Sequence, residues 1–132
     1  MARREFVALK CYEGSRPTMR LKVYNLLGRE FEISFLIDTG FDGPLMLDNS
    51  SYEKFKAGEL PEEEWFRYRT LNGYLVMKTA RAFLEINGSR LETYVMTPRD
   101  FEGKNLVGLH VLRRMSLAIN KGSETCVITE KR

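Results

Sequence analysis

The 132-residue sequence is poor in the residues on which many metal-dependent and nucleophilic enzymes rely. It has one histidine, His110, and two cysteines, Cys11 and Cys126, and these form neither a CxxC nor an HExxH pattern. A zinc centre therefore cannot be assembled from the usual ligand motifs. The sequence also lacks a GxSxG motif, a cysteine-protease signature and a glycine-rich phosphate loop. We expect neither a metal nor another cofactor.

Long apolar runs are absent as well. The start, MARREFVALKCYEG, is basic but has no apolar h-region, and no run approaches the ~20 residues of a membrane span. Cys11 and Cys126 lie in apolar stretches near opposite ends of the chain, which favours buried thiols over a disulfide. The sequence thus predicts a cytoplasmic protein with no membrane partner.

What is present suits one packed domain over residues 1–132. The hydrophobic fraction is 43% and the charged fraction 30%, a balance typical of a folded globule. The formal charge is 21 − 18 = +3, and its basic residues are spread along the chain. The segment from Trp65 to Arg69 interleaves aromatic and basic residues as a single-strand nucleic-acid platform does, but the neighbouring PEEE would repel phosphate. We therefore predict no nucleic-acid partner.

Alternation at period two predicts a mostly β fold. Strands are expected near 19–26 and 30–37, with a turn at Gly28, and near 74–86 and 90–97, with a turn at Asn87-Gly88. Two short helices interrupt the pattern. The first is expected to start at Ser50, with Glu53 completing a capping box, and to end at Gly58. The second is expected over 109–115.

An internal repeat appears at an offset of 60 residues. The matched positions in the first half are Gly28, Phe31, Glu32, Phe35 and Leu36, and those in the second half are Gly88, Leu91, Glu92, Val95 and Met96. Two such halves related by a pseudo-two-fold axis would close a small barrel, with Asp38 near the axis. The position that matches Asp38 is Pro98, which has no carboxylate.

Asp38 ends an apolar strand in the run FLIDTG and is followed by threonine and glycine. The simplest interpretation is a turn aspartate, which bonds its own backbone two residues on. Three flanking features make the DTG motif more than a turn signal: the apolar run before the motif, the strand PLML after it, and LVGLHVL downstream. Together these resemble the retropepsin-like aspartic proteases, closest to the small prokaryotic single-domain type, over roughly residues 19–129.

The resemblance implies a closed acid-protease barrel and an aspartic endopeptidase. Asp38 would be the catalytic aspartate, Thr39 the hydroxyl that braces paired loops, and Gly40 the amide that approaches the carboxylates. Peptide hydrolysis without a metal needs both a base and an acid, and two carboxylates that share one proton supply both. Because the chain has a single DTG, the resemblance implies a homodimer acting on a peptide or protein substrate.

Substrate contacts are expected from the loop after the motif and from an aromatic hairpin over Trp65–Met77. The resemblance makes this hairpin a flap that closes over bound peptide. The residues expected to bind substrate are Phe41, Asp42, Leu71, Asn72 and Gly73.

Three alternatives remain open at this stage. An ordinary core hairpin would explain the aromatic residues, and a solvated turn would explain Asp42. The sequence departs from the retroviral pattern at Leu109 and His110, where those proteins carry Arg and Asn, so Asp42 lacks that arginine partner. His110 is expected to bond a loop rather than act in catalysis.

The third alternative concerns the whole domain. The same fold could also hold an extended peptide without cutting it, as a binding module.

Overall fold

The computed structural model describes residues 5–131, and the surroundings of side chains from Lys10 to Ile128. Over this range the chain forms ten strands and two short α-helices. The strands are β1 (Glu5–Glu13), β2 (Thr18–Tyr24), β3 (Glu30–Ile37), β4 (Leu45–Met46), β5 (Phe66–Thr70), β6 (Gly73–Ile86), β7 (Ser89–Pro98), β8 (Leu106–Val107), β9 (Ser116–Asn120) and β10 (Glu124–Lys131). The helices are α1 (Asn49–Glu53) and α2 (Leu109–Leu112), and single 3₁₀ turns lie at Lys56–Gly58 and Glu62–Glu64.

The larger sheet has the strand order β2-β3-β8-β4-β7-β6-β5. β2 also pairs with β6, through Val23 opposite Leu84 and Tyr24 opposite Phe83, and this contact closes six strands into a ring. β5 pairs with β6 outside the ring. The predicted mostly β, closed fold is confirmed, although the ring is an irregular barrel because β4 and β8 have only two residues each.

The internal repeat is a structural symmetry. β3 runs parallel to β8 with Leu36 opposite Leu106, and β7 runs parallel to β4 with Met96 opposite Met46. β4 and β8 meet antiparallel, with Met46 opposite Leu106. Since these two residues are 60 positions apart, the pseudo-two-fold axis passes through their pairing.

Alternating apolar side chains from both hairpins fill the ring. Met19, Leu21 and Val23 face inward from β2, and Ile33 and Phe35 face inward from β3, all at 8% exposure or less. The predicted period of two therefore identified the core face of the first hairpin correctly.

The helices differ from the sequence prediction at their ends. α1 is capped by Asp48, whose carboxylate accepts a hydrogen bond from the Ser51 amide at 2.8 Å, so the predicted cap at Ser50 is wrong. An aspartate at this position can satisfy the free amides of the first turn as well as a serine can. α2 stops at Leu112 rather than at residue 115, where the chain turns toward β9. Within residues 5–131 no helix is long and apolar enough to cross a bilayer.

β1, β10 and β9 form a separate three-stranded antiparallel sheet, called the terminal sheet below. Cys11 pairs directly with Cys126 in its register, and their sulfurs form a disulfide across a Cα separation of 4.0 Å. The prediction of two buried thiols is therefore wrong. The two cysteines are 115 residues apart in sequence, and only the pairing of β1 with β10 brings them together.

Candidate active site

Asp38 directly follows β3 and is held by the backbone of the neighbouring strand. Its amide donates to the Val107 carbonyl of β8 at 3.0 Å. Its carboxylate oxygen Oδ1 accepts a hydrogen bond from the Gly40 amide at 2.9 Å, and its carbonyl accepts one from the Phe41 amide at 3.2 Å. The Asp38 side chain is half-buried. A tight loop therefore fixes this acid while leaving part of it open to solvent, as both the turn and the catalytic interpretation require.

The loop from Asp38 to Gly43, called the Asp38 loop below, lies beside the pseudo-two-fold axis. β3 ends against β8, one of the two strands whose pairing the axis crosses. The equivalent end of β7 is occupied by buried Pro98. One chain thus supplies a single carboxylate at this pair of equivalent positions. Thr39 and Gly40 are both exposed.

Gly108 supports the Asp38 loop through close backbone contact. The Gly108 amide donates to the Pro44 carbonyl at 2.9 Å, and the Leu109 amide donates to the Phe41 carbonyl at 2.8 Å. A Cβ atom at Gly108 would collide with the Gly43 carbonyl and would stand 2.6 Å from that of Phe41. Only glycine permits this approach.

Tyr68 connects the hairpin strand β5 to the Asp38 loop. Its ring meets Phe41 edge to face, with centroids 5.9 Å apart, and its hydroxyl lies 3.5 Å from the Met96 sulfur. A Cβ at Gly43 would stand 2.5 Å from the same hydroxyl. Burial, and then the negative charge of Asp42, raise the pKa of Tyr68 above its usual value, so the phenol stays neutral.

Sequence reasoning did not single out Tyr68 as a partner of this loop. The signal in the sequence was its position in the hairpin, where it alternates with exposed Arg67 and Arg69 and therefore faces the opposite side of β5.

The predicted hairpin over Trp65–Met77 is formed by β5 and the start of β6. Its turn residues Leu71, Asn72 and Gly73 are exposed, Leu71 completely so. Gly73 has a φ of 116°, in the region that favours glycine, whereas Asn72 does not have a positive φ. Thr70 Oγ1 stabilises the turn instead, by donating to the Gly73 carbonyl at 2.9 Å.

The structure brings Phe41 and Tyr68 together but leaves the turn apart from the acid. Among the described hydrogen bonds and aromatic contacts, none joins Leu71, Asn72 or Gly73 to the Asp38 loop. Asp42 is exposed and has no ion pair within the described part of the chain.

His110 is exposed on α2, and no hydrogen bond of its side chain occurs among the residues described. The predicted bond to a loop is not found among the described residues, and it stays a prediction.

Comparison with known proteins identifies the fold. No protein-family model and no curated protein matches the sequence. Among solved structures, a retropepsin-like aspartic protease from Rickettsia conorii aligns with a TM-score of 0.56 and 15% identity, over 100% of this chain and 98% of its own. EIAV protease in complex with the inhibitor HBY-793 aligns with a TM-score of 0.52 and 16% identity, over 75% of this chain and 86% of its own.

At these identities the likeness establishes the fold alone. The chain has the fold of the retropepsin-like aspartic proteases.

Proposed function

We propose that the protein is an aspartic endopeptidase whose active form is a homodimer with one Asp38 from each chain. The observation that supports this proposal most strongly is that the two halves of the sheet have equivalent backbones but different residues at one pair of equivalent positions. Asp38 and Pro98 occupy equivalent strand ends beside the pseudo-two-fold axis, and only the first is an acid. A two-fold axis between chains would supply the second carboxylate.

Two facing Asp38 carboxylates would share one proton. The ionised member takes a proton from water as the water attacks the peptide carbonyl, and the protonated member donates to the carbonyl oxygen. The Gly40 amide, which already donates to Oδ1 of Asp38 at 2.9 Å, would fix the orientation of each carboxylate. Exposed Thr39 has its hydroxyl available to brace the partner chain's loop.

The substrate would be an extended peptide between the Asp38 loop and the hairpin. Phe41 would offer an apolar surface and Asp42 a polar contact beside the acid. Leu71, Asn72 and Gly73 would form the closing edge, since their exposure leaves them free to move onto bound peptide. Tyr68 would serve as the fixed base of that movement, because its ring rests on Phe41.

The compartment in which this reaction takes place stays a prediction. The predicted compartment is the cytoplasm, whereas the Cys11–Cys126 disulfide is a bond that persists mainly in oxidising compartments.

The test is cleavage of a mixed peptide library over a range of pH. A dyad predicts a bell-shaped profile, because only the singly protonated pair is competent. Activity that survives EDTA and serine-directed reagents but is lost in Asp38→Asn supports the proposal. Peptide binding without turnover at any pH would contradict the proposed enzyme and indicate a peptide-binding module instead.

A further inference from the structure

One face of the terminal sheet gathers sulfur and carboxylate groups. Donor atoms of Cys11, Cys126 and Glu124 all lie within 4.8 Å of one another. Glu124 Oε1 is 3.8 Å from the Cys126 sulfur and also accepts a hydrogen bond from the Asn120 side chain at 3.1 Å. Within the described residues this is the one grouping of three such side chains close enough to share an ion.

Strand register adds a fourth group. Cys11 lies opposite Cys126, and Glu13 lies opposite Glu124. Because side chains alternate along a strand, residues two apart share a face. The four residues therefore occupy the corners of one patch, and the intervening Tyr12 packs against the core on the other side. Glu13 is exposed, so its side chain can rotate toward the other three.

We propose that reduction of the disulfide converts this patch into a zinc-type divalent metal site with Cys11, Cys126, Glu124 and Glu13 as ligands. Two thiolates and two carboxylates form a four-coordinate donor set that suits Zn²⁺, whereas Mg²⁺ and Ca²⁺ favour oxygen ligands alone. The Asn120 amide, which already holds Glu124, would orient that carboxylate. This inference does not depend on the proposed protease activity.

The conversion needs a dithiol reductant and releases protons when the metal binds. The reductant supplies two electrons and two protons, the sulfur–sulfur bond breaks to give two thiols, and the reductant leaves as its own disulfide. Zn²⁺ then replaces the two thiol protons, which pass to solvent. Cys11 is exposed, so a thiolate can reach the bond. Either the disulfide or the metal would thus join β1 to β10.

The experiment titrates full-length protein with Co²⁺ and with Zn²⁺ after reduction and anaerobic removal of the dithiol. We expect one Co²⁺ per reduced chain, with the thiolate charge-transfer and visible bands of a tetrahedral ion, and displacement by Zn²⁺. The oxidised chain is the first control and should not bind. The double variant Cys11→Ser/Cys126→Ser should lose the charge-transfer band, because no thiolate ligand remains.

The carboxylate ligands are tested with Glu124→Gln and Glu13→Gln against Glu63→Gln, a matched change at an exposed glutamate in a 3₁₀ turn. Loss of an outer partner of a metal ligand costs about 10- to 100-fold in affinity, so each ligand variant should weaken binding by at least about tenfold. The Glu63 control should bind as the wild type does.

Three results would overturn the proposal: no Co²⁺ binding by the reduced chain, equal binding by the oxidised chain, or ligand variants that match the Glu63 control. Circular dichroism of each variant separates loss of a ligand from loss of folding.

Discussion

The two halves of the closed sheet follow the same path, and two pairs of equivalent positions show how their roles differ. At the end of the long strand, the first half has Asp38 and the second has Pro98. Immediately before the helix, the first half has Asp48 and the second has Gly108. Each pair is separated by 60 residues. The two halves therefore repeat the same backbone fold but have different residues at these functional positions.

The second pair of positions explains how the halves differ in their roles. Asp48 caps α1 with its side chain, through the hydrogen bond to Ser51. Gly108 precedes α2 and provides no side-chain cap. Because it has no side chain, its backbone can lie close to the carbonyls of Phe41 and Gly43. The second half thus supports the loop that carries the acid of the first half.

The largest expected effect comes from removing the acid. Asp38→Asn should reduce peptide cleavage by about 10³-fold or more, because an amide can neither act as a base nor share a proton. Asp100→Asn is the matched control, since Asp100 follows Pro98 in the second half and is exposed. The control should cleave normally, and both variants should keep the wild-type melting temperature. Cleavage by Asp38→Asn at the wild-type rate would disprove the assignment.

The next effect tests the close contact at Gly108. Gly108→Ala should lower the free energy of unfolding by about 2–3 kcal/mol, because the new Cβ must displace the backbone of Gly43 and Phe41. Urea unfolding measures the change. The equivalent position of the first half already carries a side chain, Asp48, so the requirement is specific to the second half. A Gly108→Ala protein as stable as the wild type would show that close backbone contact at Gly108 does not hold the Asp38 loop.

A smaller effect compares the turns of the β5–β6 and β6–β7 hairpins. Gly73 and Gly88 both have positive φ, and both have open space where a side chain would begin. Gly73→Val and Gly88→Val should therefore each cost about 1–3 kcal/mol of backbone strain. Only Gly73→Val should lower turnover, by about tenfold, because that turn is the proposed flap. Equal kinetics of the two variants would assign Gly73 to an ordinary core hairpin.

The smallest effect concerns the cap of α1. Asp48→Ala should cost about 1 kcal/mol at neutral pH, as loss of an N-cap usually does. Burial alone would raise the pKa of Asp48, but hydrogen bonds from Ser51 and Ser50 outweigh it and leave the pKa lowered.

A lowered folded-state pKa means that this stabilisation is present above the unfolded value and is lost as pH falls through the folded one. The stability difference between wild type and Asp48→Ala, followed by urea unfolding, should therefore shrink below about pH 4. A difference that stays constant far into the acid range would contradict this role of the carboxylate.

Much of the fold was predictable because local patterns decide it. Alternation at period two placed both long hairpins, and the match between Gly28 and Gly88 indicated the repeat. Cap identity was less predictable, since Asp48 and Ser50 are both good N-cap residues and only the backbone path selects between them.

Contacts between distant segments were the hardest to predict. The Cys11–Cys126 pair depends on the register of β1 against β10, which neither strand specifies alone. The contact of Tyr68 with Phe41 depends on how the β5–β6 hairpin folds over the Asp38 loop. The position of Asp38 at the end of β3 was predictable from the DTG motif, because a strand-end aspartate followed by glycine is a local feature.

The most direct test of the central claim is a mixing experiment with wild-type and Asp38→Asn chains. If the chains exchange freely and are mixed in equal amounts, about one quarter of the dimers have two aspartates, and activity per wild-type chain falls by about half. Activity should also fall on dilution, in step with the shift from dimer to monomer in sedimentation. Full activity of a monomer, or unchanged wild-type activity despite demonstrated exchange, would contradict the paired-aspartate account.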